Sequence, residues 1–462
     1  MPDDRPNVLF ILSDDQGPWA AGCYGNKEIR TPNLDRIAAT GVRFDRFFVA
    51  TPVCSPSRAT YLTGLIPSQH GIHDWLYSGE PRDGLPNYNM GPQARQMLAD
   101  ATAYTDVLAA NGYHCGISGK WHLGDSLRPQ HGFEHWFVHQ RGGGPYNDAP
   151  MVRDGKPTTE PGYVTDVITD DALGFLDGHS KSGDARPFYL SVHYTAPHSP
   201  WKGHPQEIVD SYDDCLFESC PQEPKHPWAG SLTDSNMGNR ESLKGYFAAV
   251  TAMDLQIGRL LDWLEANGQR ERTLVVFVSD NGFSCGQHGF WGKGNGTSPR
   301  NMYENSIRVP ALFSHPGTLP EGHSTEAMVS AYDFMPTLLE YLGLPLPERH
   351  DDGRPRPGRS FLMTLRGEPE SGRNEVVIFD EYGPVRMIRT REWKYVYRHP
   401  EGPDELYDLV HDADERRNLI DDAGQAQRIS ELRGRMEEWF ARYVEPDRDG
   451  LRARLDVGSG GW

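Results

Sequence analysis

The chain has 462 residues, of which 37% are hydrophobic and 24% charged, and it carries a formal net charge of −19. It is long enough for one large core with a smaller domain beside it, and its acidity excludes a general binder of nucleic acid or of anionic membranes. The same acidity requires that any anionic substrate be met by a local group of positive side chains.

The opening MPDDRPNVLFILSDD has no basic stretch followed by a long apolar run. Its apolar stretch, Val8 to Leu12, is too short for a signal peptide, and no transmembrane span is read elsewhere. A cytoplasmic protein is expected, or a periplasmic or secreted one where an export signal has been removed. Residues 7–13 read as a buried strand. Pro32, at a first helical position, opens a helix that Gly41 closes. Residues 102–111 follow as a helix, then 113–118 and 188–194 as strands. Residues 243–267 place apolar side chains at every third or fourth position before Gly268, the pattern of a long amphipathic helix. A β-branched strand at 274–279 and a helix at 332–342 complete an α/β pattern with a mainly parallel sheet. Composition shifts to Pro, Gly, Arg and Asp across 345–372, which reads as a linker. Beyond it, strands at 376–379, 386–390 and 393–398 and a helix at 426–443 form a small α+β domain. The expected domains are 1–350 and 375–462.

The six cysteines, Cys23, Cys54, Cys115, Cys215, Cys220 and Cys285, are scattered and include no C-x-x-C pair. They read as reduced thiols, not as a disulfide framework or zinc site, although Cys215 and Cys220 are spaced to pair in an oxidising compartment.

Reactive side chains follow four of the strands. Asp14 and Asp15 follow the first, Lys120 and His122 the strand at 113–118, His198 the strand at 188–194, and Asp280 and Asn281 the strand at 274–279. Ligands of open parallel sheets bind beyond the carboxyl ends of strands. Asp14-Asp15 or Asp280-Asn281 alone would read as turn or cap residues. Together they offer three carboxylates and an amide oxygen, a hard-oxygen set for Ca²⁺, with Mg²⁺ second, and not for zinc. Lys120, His122, His198 and Lys293 add positive charge and proton-transfer capacity; singly, each reads as a surface or hydrogen-bonded residue.

The longest motif is Cys-Ser-Pro-Ser-Arg-Ala-Thr-Tyr-Leu-Thr-Gly at 54–64. It reads as a loop entering a helix, with Ser55 as N-cap and Pro56 in the first turn. Cys54 would then sit by a helix N-terminus and the Arg58 guanidinium, a setting that lowers a thiol pKa and favours anions. This setting is compatible with a thiolate nucleophile and with a buried structural cysteine.

This run resembles the Cys-x-Pro-x-Arg…Leu-Thr-Gly motif of the type I sulfatases. The resemblance continues, in order, through Asn7-Val8-Leu9 to Asp14-Asp15, Thr31-Pro32-Asn33-Leu34-Asp35, Gly119-Lys120-Trp121-His122-Leu123-Gly124 and Ala196-Pro197-His198-Ser199-Pro200. It extends through Ser279-Asp280-Asn281-Gly282, Gly292-Lys293-Gly294, Tyr303-Glu304 with Arg308-Val309-Pro310, and Leu406-Tyr407-Asp408-Leu409 with Asn418-Leu419. The last segments resemble bacterial glycan sulfatases. The resemblance implies an alkaline-phosphatase-like fold and oxidation of Cys54 to formylglycine (3-oxoalanine) by a maturation enzyme. It implies Ca²⁺ held by Asp14, Asp15, Asp280, Asn281 and residue 54. A hydrated formylglycine would attack sulfur, aided by Arg58, giving a sulfate hemiester. Lys120, Lys293 and His198 would bind the sulfuryl group, His198, alone or with Lys293, would protonate the leaving alkoxide, and His122 would drive release of inorganic sulfate.

The expected function is hydrolysis of a sulfate ester of a carbohydrate or small organic molecule, small substrates being favoured over long polyanions. The alternatives are a phosphonate monoester or phosphodiester hydrolase, an N-sulfatase, and a non-enzymatic binder with unmodified Cys54. His288 is expected either to contact sulfate or substrate or to order its own loop. The stretch from Gly294 to Tyr303 is longer than the family pattern, which bears on the placement of Lys293. His70, His73, Asp74 and Trp75 are candidates for a pocket wall or for core and rim roles.

Overall fold

The computed structural model describes residues 5–78, 87–348, 353–368 and 377–453. Its strands are, in chain order, Asn7–Ser13 (β1), Val42–Phe48 (β2), His114–Gly119 (β3), His135–His139 (β4), Asn147–Arg153 (β5) and Lys156–Tyr163 (β6). Then come Phe188–His193 (β7), Thr273–Ser279 (β8), Ser284–Cys285 (β9), Trp291–Gly292 (β10), Arg308–Ser314 (β11) and His323–Ser330 (β12). Ile378–Tyr382 (β13), Val385–Arg389 (β14), Trp393–Arg398 (β15) and Glu405–Asp408 (β16) end the series.

Ten strands form one sheet in the order β12-β2-β11-β8-β1-β7-β3-β4-β5-β6. All run one way except β5 and β11, so the expected mainly parallel sheet is present. The strand β1 shows why a continuous apolar run marks a central parallel strand. Val8, Phe10 and Leu12 face one core, with Tyr61, Leu108, Phe334 and Leu338 from three helices. Leu9 and Ile11 face the other, with Ile168 and Phe175 of the helix Val164–Ser182 and Met253 and Ile257 of the helix Arg240–Ala266. Each such side chain contributes about 1.5–3 kcal/mol by leaving water. The architecture is therefore a three-layer α/β sandwich.

The small C-terminal sheet is antiparallel, β13-β14-β15-β16. Leu432, Met436, Phe440 and Tyr443 form one stripe of the helix Ala426–Tyr443 and cover Phe379, Ile388, Tyr395 and Leu406. The other face of the sheet carries Tyr382, Val385, Met387 and Val396 against Phe48, Val53, Met302 and Ile307 of the large core. Both of its faces are thus buried.

The long helix starts three residues before its expected position because Asn239 caps it, accepting from the N–H groups of Glu241 and Ser242. The helix expected at 332–342 spans Phe334–Tyr341. The linker expected at 345–372 contains a short helix, Leu362–Leu365; its residues 349–352 and 369–372 lie outside the described residues, as do Val376 and the domain ends 1–4, 375 and 454–462. All six cysteines are free, and Cys215 contacts Glu28 at 3.7 Å, so Cys215 and Cys220 do not pair. Among the described residues, no helix is long and apolar enough to cross a membrane.

Candidate active site

The four strands that carry reactive side chains at their ends, β8, β1, β7 and β3, are consecutive in the sheet. Register then fixes the rest. Ser13 pairs with Ser279, so Asp14-Asp15 and Asp280-Asn281 leave the sheet side by side. Gly119 pairs with His193, which brings Lys120 to the same edge. Gly119 has φ +116, and a Cβ there would lie 1.9 Å from the His193 carbonyl oxygen. Only glycine lets β3 turn into the site at that point. Asp15 and His122 also have positive φ, 68° and 56°. Such strain in non-glycine residues is held by the surrounding structure and collects at functional sites.

Cys54 begins the helix Cys54–Thr63, every residue of which is buried. Val53 is the N-cap, in extended conformation. The expected cap, Ser55, lies inside the helix, where its hydroxyl accepts from Leu76 N–H at 3.0 Å. Pro56 occupies the first turn, where its missing N–H removes no helical bond.

Arg58 is held by a carboxylate and a carbonyl of the strand ends. Its Nε and one Nη hold Asp280 Oδ2, both at 2.8 Å, and the other Nη donates to Lys120 O at 3.0 Å. Lys120 binds Asp14 Oδ2. Lys293 Nζ lies 2.6 Å from Asp15 Oδ1 and 2.8 Å from Cys54 Sγ. Cys54 Sγ is also 3.6 Å from Asp14 Oδ1, and His198 Nε2 is 3.9 Å from Asp15 Oδ2. The additional residues after Gly294 fold back on this lysine: Asn301 Nδ2 donates to Lys293 O at 3.0 Å and fixes the turn.

These contacts overturn one expectation about the thiol. Burial, together with the Asp14 carboxylate, pushes the Cys54 thiol up to about 12, although Lys120 and Lys293 act the other way. The helix terminus and guanidinium do not produce a thiolate, because burial and the Asp14 carboxylate outweigh the nearby positive charge. Burial and then Lys120 hold His122 well below its usual range. Burial pulls Lys293 down, but Asp15, Cys54 and Asp14 outweigh it and keep the ammonium well above its usual range.

The carboxylates of Asp14, Asp15 and Asp280 each bring an oxygen within 4.8 Å of the others. Burial and the adjacent Asp14 push Asp280 upward despite its bonds to Arg58. Asn281 Nδ2 donates to Asp15 Oδ1 at 2.7 Å and to Gly282 O at 2.9 Å, while Asn281 Oδ1 is buried with no hydrogen-bond partner. An orphaned amide oxygen on a side chain bonded to one of three converging carboxylates fits a hard divalent cation.

A cavity of about 730 Å³ opens over Cys54, His122, His198 and Lys293. It is sized for a small ligand. Several of its walls went unremarked in the sequence: Tyr77, Arg141, Gly142, Trp201 and Lys202. The run of three glycines at 142–144 was the readable signal. A Cβ on Gly142 would lie 2.1 Å from the His122 ring, and one on Gly143 would lie 3.0 Å from the His198 ring. No Asp or Glu lines this cavity among the described residues, and the exposed cations Arg141 and Lys202 make no ion pair among them. Trp75 is part of the wall, whereas Asp74 binds Arg300 at 3.0 Å and Tyr382 at 2.5 Å, and His70 caps its own turn through Ile72 N–H. His73 is half-buried. His288 is not brought to this group; its ring stacks on Tyr303 at 4.1 Å.

The profile of the Sulfatase family matches residues 6–344. The chain belongs to the sulfatase family. It is a sulfuric ester hydrolase with an alkaline-phosphatase-like fold. A profile described as the C-terminal region of N-sulphoglucosamine sulphohydrolase matches residues 286–442. An N-acetylglucosamine-6-O-sulfatase of Bacteroides thetaiotaomicron is 27% identical, covering 96% of this chain and 88% of that protein. A ulvan-active sulfatase of Formosa agariphila is 31% identical, covering 90% of this chain and 77% of that protein. A solved structure in complex with its substrate, D-glucosamine-2-N,6-O-disulfate, superposes with a TM-score of 0.78 at 26% identity, covering 97% of this chain and all of that one.

Proposed function

We propose that this sulfatase removes sulfate from an O-sulfated saccharide, using a formylglycine made from Cys54 by a maturation enzyme that reads Cys-x-Pro-x-Arg. The observation that carries the reading is the position of Cys54 Sγ, between Lys293 Nζ at 2.8 Å and Asp14 Oδ1 at 3.6 Å on the cavity wall. The saccharide is supported by the glucosamine and ulvan sulfatases among the relatives.

Sγ marks where an oxygen of the mature residue would sit. A hydrated formylglycine supplies one hydroxyl oxygen to attack sulfur and a second hydroxyl for later release, which neither a thiol nor a serine offers. Ca²⁺, held by Asp14, Asp15, Asp280, Asn281 and residue 54, would supply Lewis-acid stabilisation of negative charge when bound. Arg58 orients Asp280 and Asp14 and so fixes the carboxylates. Lys120 and Lys293 place two ammonium groups where charge gathers on the sulfuryl oxygens. His198, with Lys293 near it, delivers a proton to the departing sugar oxygen. The His122 tautomer follows from its partner. Leu76 O can only accept, so Nε2–H donates to it at 2.7 Å and the unpartnered Nδ1 carries the lone pair. Held neutral by burial, His122 is the base that takes the proton from the second hydroxyl.

The match of residues 286–442 to an N-sulphoglucosamine sulphohydrolase region favours a second reading, cleavage of an N-sulfate. Sulfate release from glucosamine carrying only a 2-N-sulfate or only a 6-O-sulfate distinguishes the two, and an aryl phosphonate tests the phosphonate alternative. For the mechanism, the peptide containing residue 54 is weighed after co-expression with the maturation enzyme. Activity should track the converted fraction, and Cys54→Ser should lose at least about 10³-fold in kcat. Activity independent of conversion would overturn the proposal.

A further inference from the structure

A second group of metal-binding side chains lies at the opposite end of the sheet from Cys54. His114 is the first residue of β3, six positions before Lys120. His179 is in the last turn of the helix Val164–Ser182, and Asp184 follows the left-handed Gly183 that ends it. Nδ1 of His114 and Nδ1 of His179 are 2.9 Å apart. Asp184 Oδ2 lies 3.9 Å from the first and 4.0 Å from the second. The two imidazoles line a surface hollow of about 780 Å³. Phe175 packs beside both, with ring centroids 4.7 Å from His114 and 6.3 Å from His179, and so limits their rotation.

We propose that His114, His179 and Asp184 bind a borderline transition-metal ion such as Zn²⁺, at a site separate from the oxygen-donor centre. Two imidazoles facing each other through the same nitrogen cannot both carry a proton there, so a lone pair points into the group. A direct N–H···N bond joins the histidines but leaves the carboxylate about 4 Å away; one cation between them engages all three donors. Two imidazole nitrogens with one carboxylate suit Zn²⁺, Cu²⁺ or Ni²⁺ and not Ca²⁺. Zn–N and Zn–O bonds of about 2.0–2.1 Å place tetrahedral donors roughly 3.3 Å apart, inside the observed spread. Shifts of side-chain tips by about half an ångström close the site, with water completing the coordination.

One neighbour opposes binding. Arg186 holds Asp184 Oδ2 at 2.8 Å and reaches Glu134 Oε1, also at 2.8 Å, so a metal must share the carboxylate with it. This gives the site opposite responses to two kinds of change. Removing a histidine should weaken it, and removing the arginine should strengthen it.

The test is calorimetric titration of the full-length protein with Zn²⁺, in saturating Ca²⁺ and in a Cys54→Ser background, so that the catalytic centre does not compete. Co²⁺ absorbance serves as a second readout. One equivalent is expected, weakened at least about tenfold by His179→Ala or His114→Gln and tightened several-fold by Arg186→Ala. Absence of binding would overturn the proposal, as would binding that these histidine variants leave unchanged. The Arg186→Ala gain keeps the test decisive if a histidine variant folds poorly.

Discussion

Two clusters of buried charge differ in their balance: in one, three carboxylates meet three cations, and in the other the carboxylates are in surplus. At the carboxyl edge of the large sheet, Asp14, Asp15 and Asp280 meet Arg58, Lys120 and Lys293, and Asn281 Oδ1 is left without a partner beside them. Between the two domains, Lys394 of β15 binds Glu415 at 2.5 Å and Glu304 at 2.9 Å, and Arg389 binds Glu304 at 3.2 Å. There the surplus is relieved by protons. Burial pushes Glu415 up to about 7 and Asp380 well above the carboxylate range, although Lys394 pulls both down. Burial works against Glu304 too, but Lys394 and Arg389 outweigh it and hold that carboxyl low. Burial and ion pairing are common to both clusters. What sets the first apart is its place beside a cavity that opens over Cys54, His122, His198 and Lys293.

The sharpest test of this contrast is Lys394→Met. It leaves Glu304 and Glu415 buried without their shared cation and should cost about 3–5 kcal/mol in urea unfolding. Calcium affinity of the folded protein should not change; a parallel loss of metal binding would break the distinction. Next is pH. The Glu415 pKa of about 7 exceeds its usual 4.5, so the folded state holds the proton more tightly. Stability should therefore fall as pH rises from about 4.5 to 7, by at most about 3 kcal/mol. Glu304, shifted the other way, loses its contribution only below about 4.5. Glu415→Gln should flatten the upper window, and parallel profiles for the two proteins would show that protons do not relieve the surplus. The smallest effect is expected at the other cluster. Asn281→Ala should weaken Ca²⁺ binding about tenfold, about 1.4 kcal/mol, as read by calorimetry, while unfolding without calcium shifts by about 1 kcal/mol or less. Unchanged affinity would remove Asn281 from the donor set.

The central strands were legible because burial on both faces leaves an uninterrupted apolar run, as in β1 and β8. The edge was not. The sequence of β6, Lys-Pro-Thr-Thr-Glu-Pro-Gly-Tyr, is mostly exposed and carries two prolines, as edge strands do. The helix Val164–Ser182 has its stripe of Val164, Ile168, Ala172, Phe175 and Leu176, but two glycines and several acids interrupt the pattern. In the site, residue types after strands could be read because strand ends share one edge. The direction of Arg58 could not. Helical spacing places it near Cys54, but only the neighbouring strand β8 reveals that Asp280 claims it. The walls built by Arg141 and Gly142 depend on where a distant loop returns.

One contact links the small domain to the segment just before Cys54. Glu381 of β13 accepts from the hydroxyl of Thr51 through its carbonyl at 2.7 Å, and its N–H donates to Ala50 O at 2.9 Å. Its side chain also receives Ser68 N–H at 2.9 Å, just beyond the helix Cys54–Thr63. In a growing chain these bonds cannot form until residue 381 has left the ribosome, long after residue 54. Until then the Cys-x-Pro-x-Arg run is not locked in place from both sides. Under the proposed function, the order of synthesis would give an interval in which residue 54 can be oxidised, and completion of the C-terminal sheet would close it.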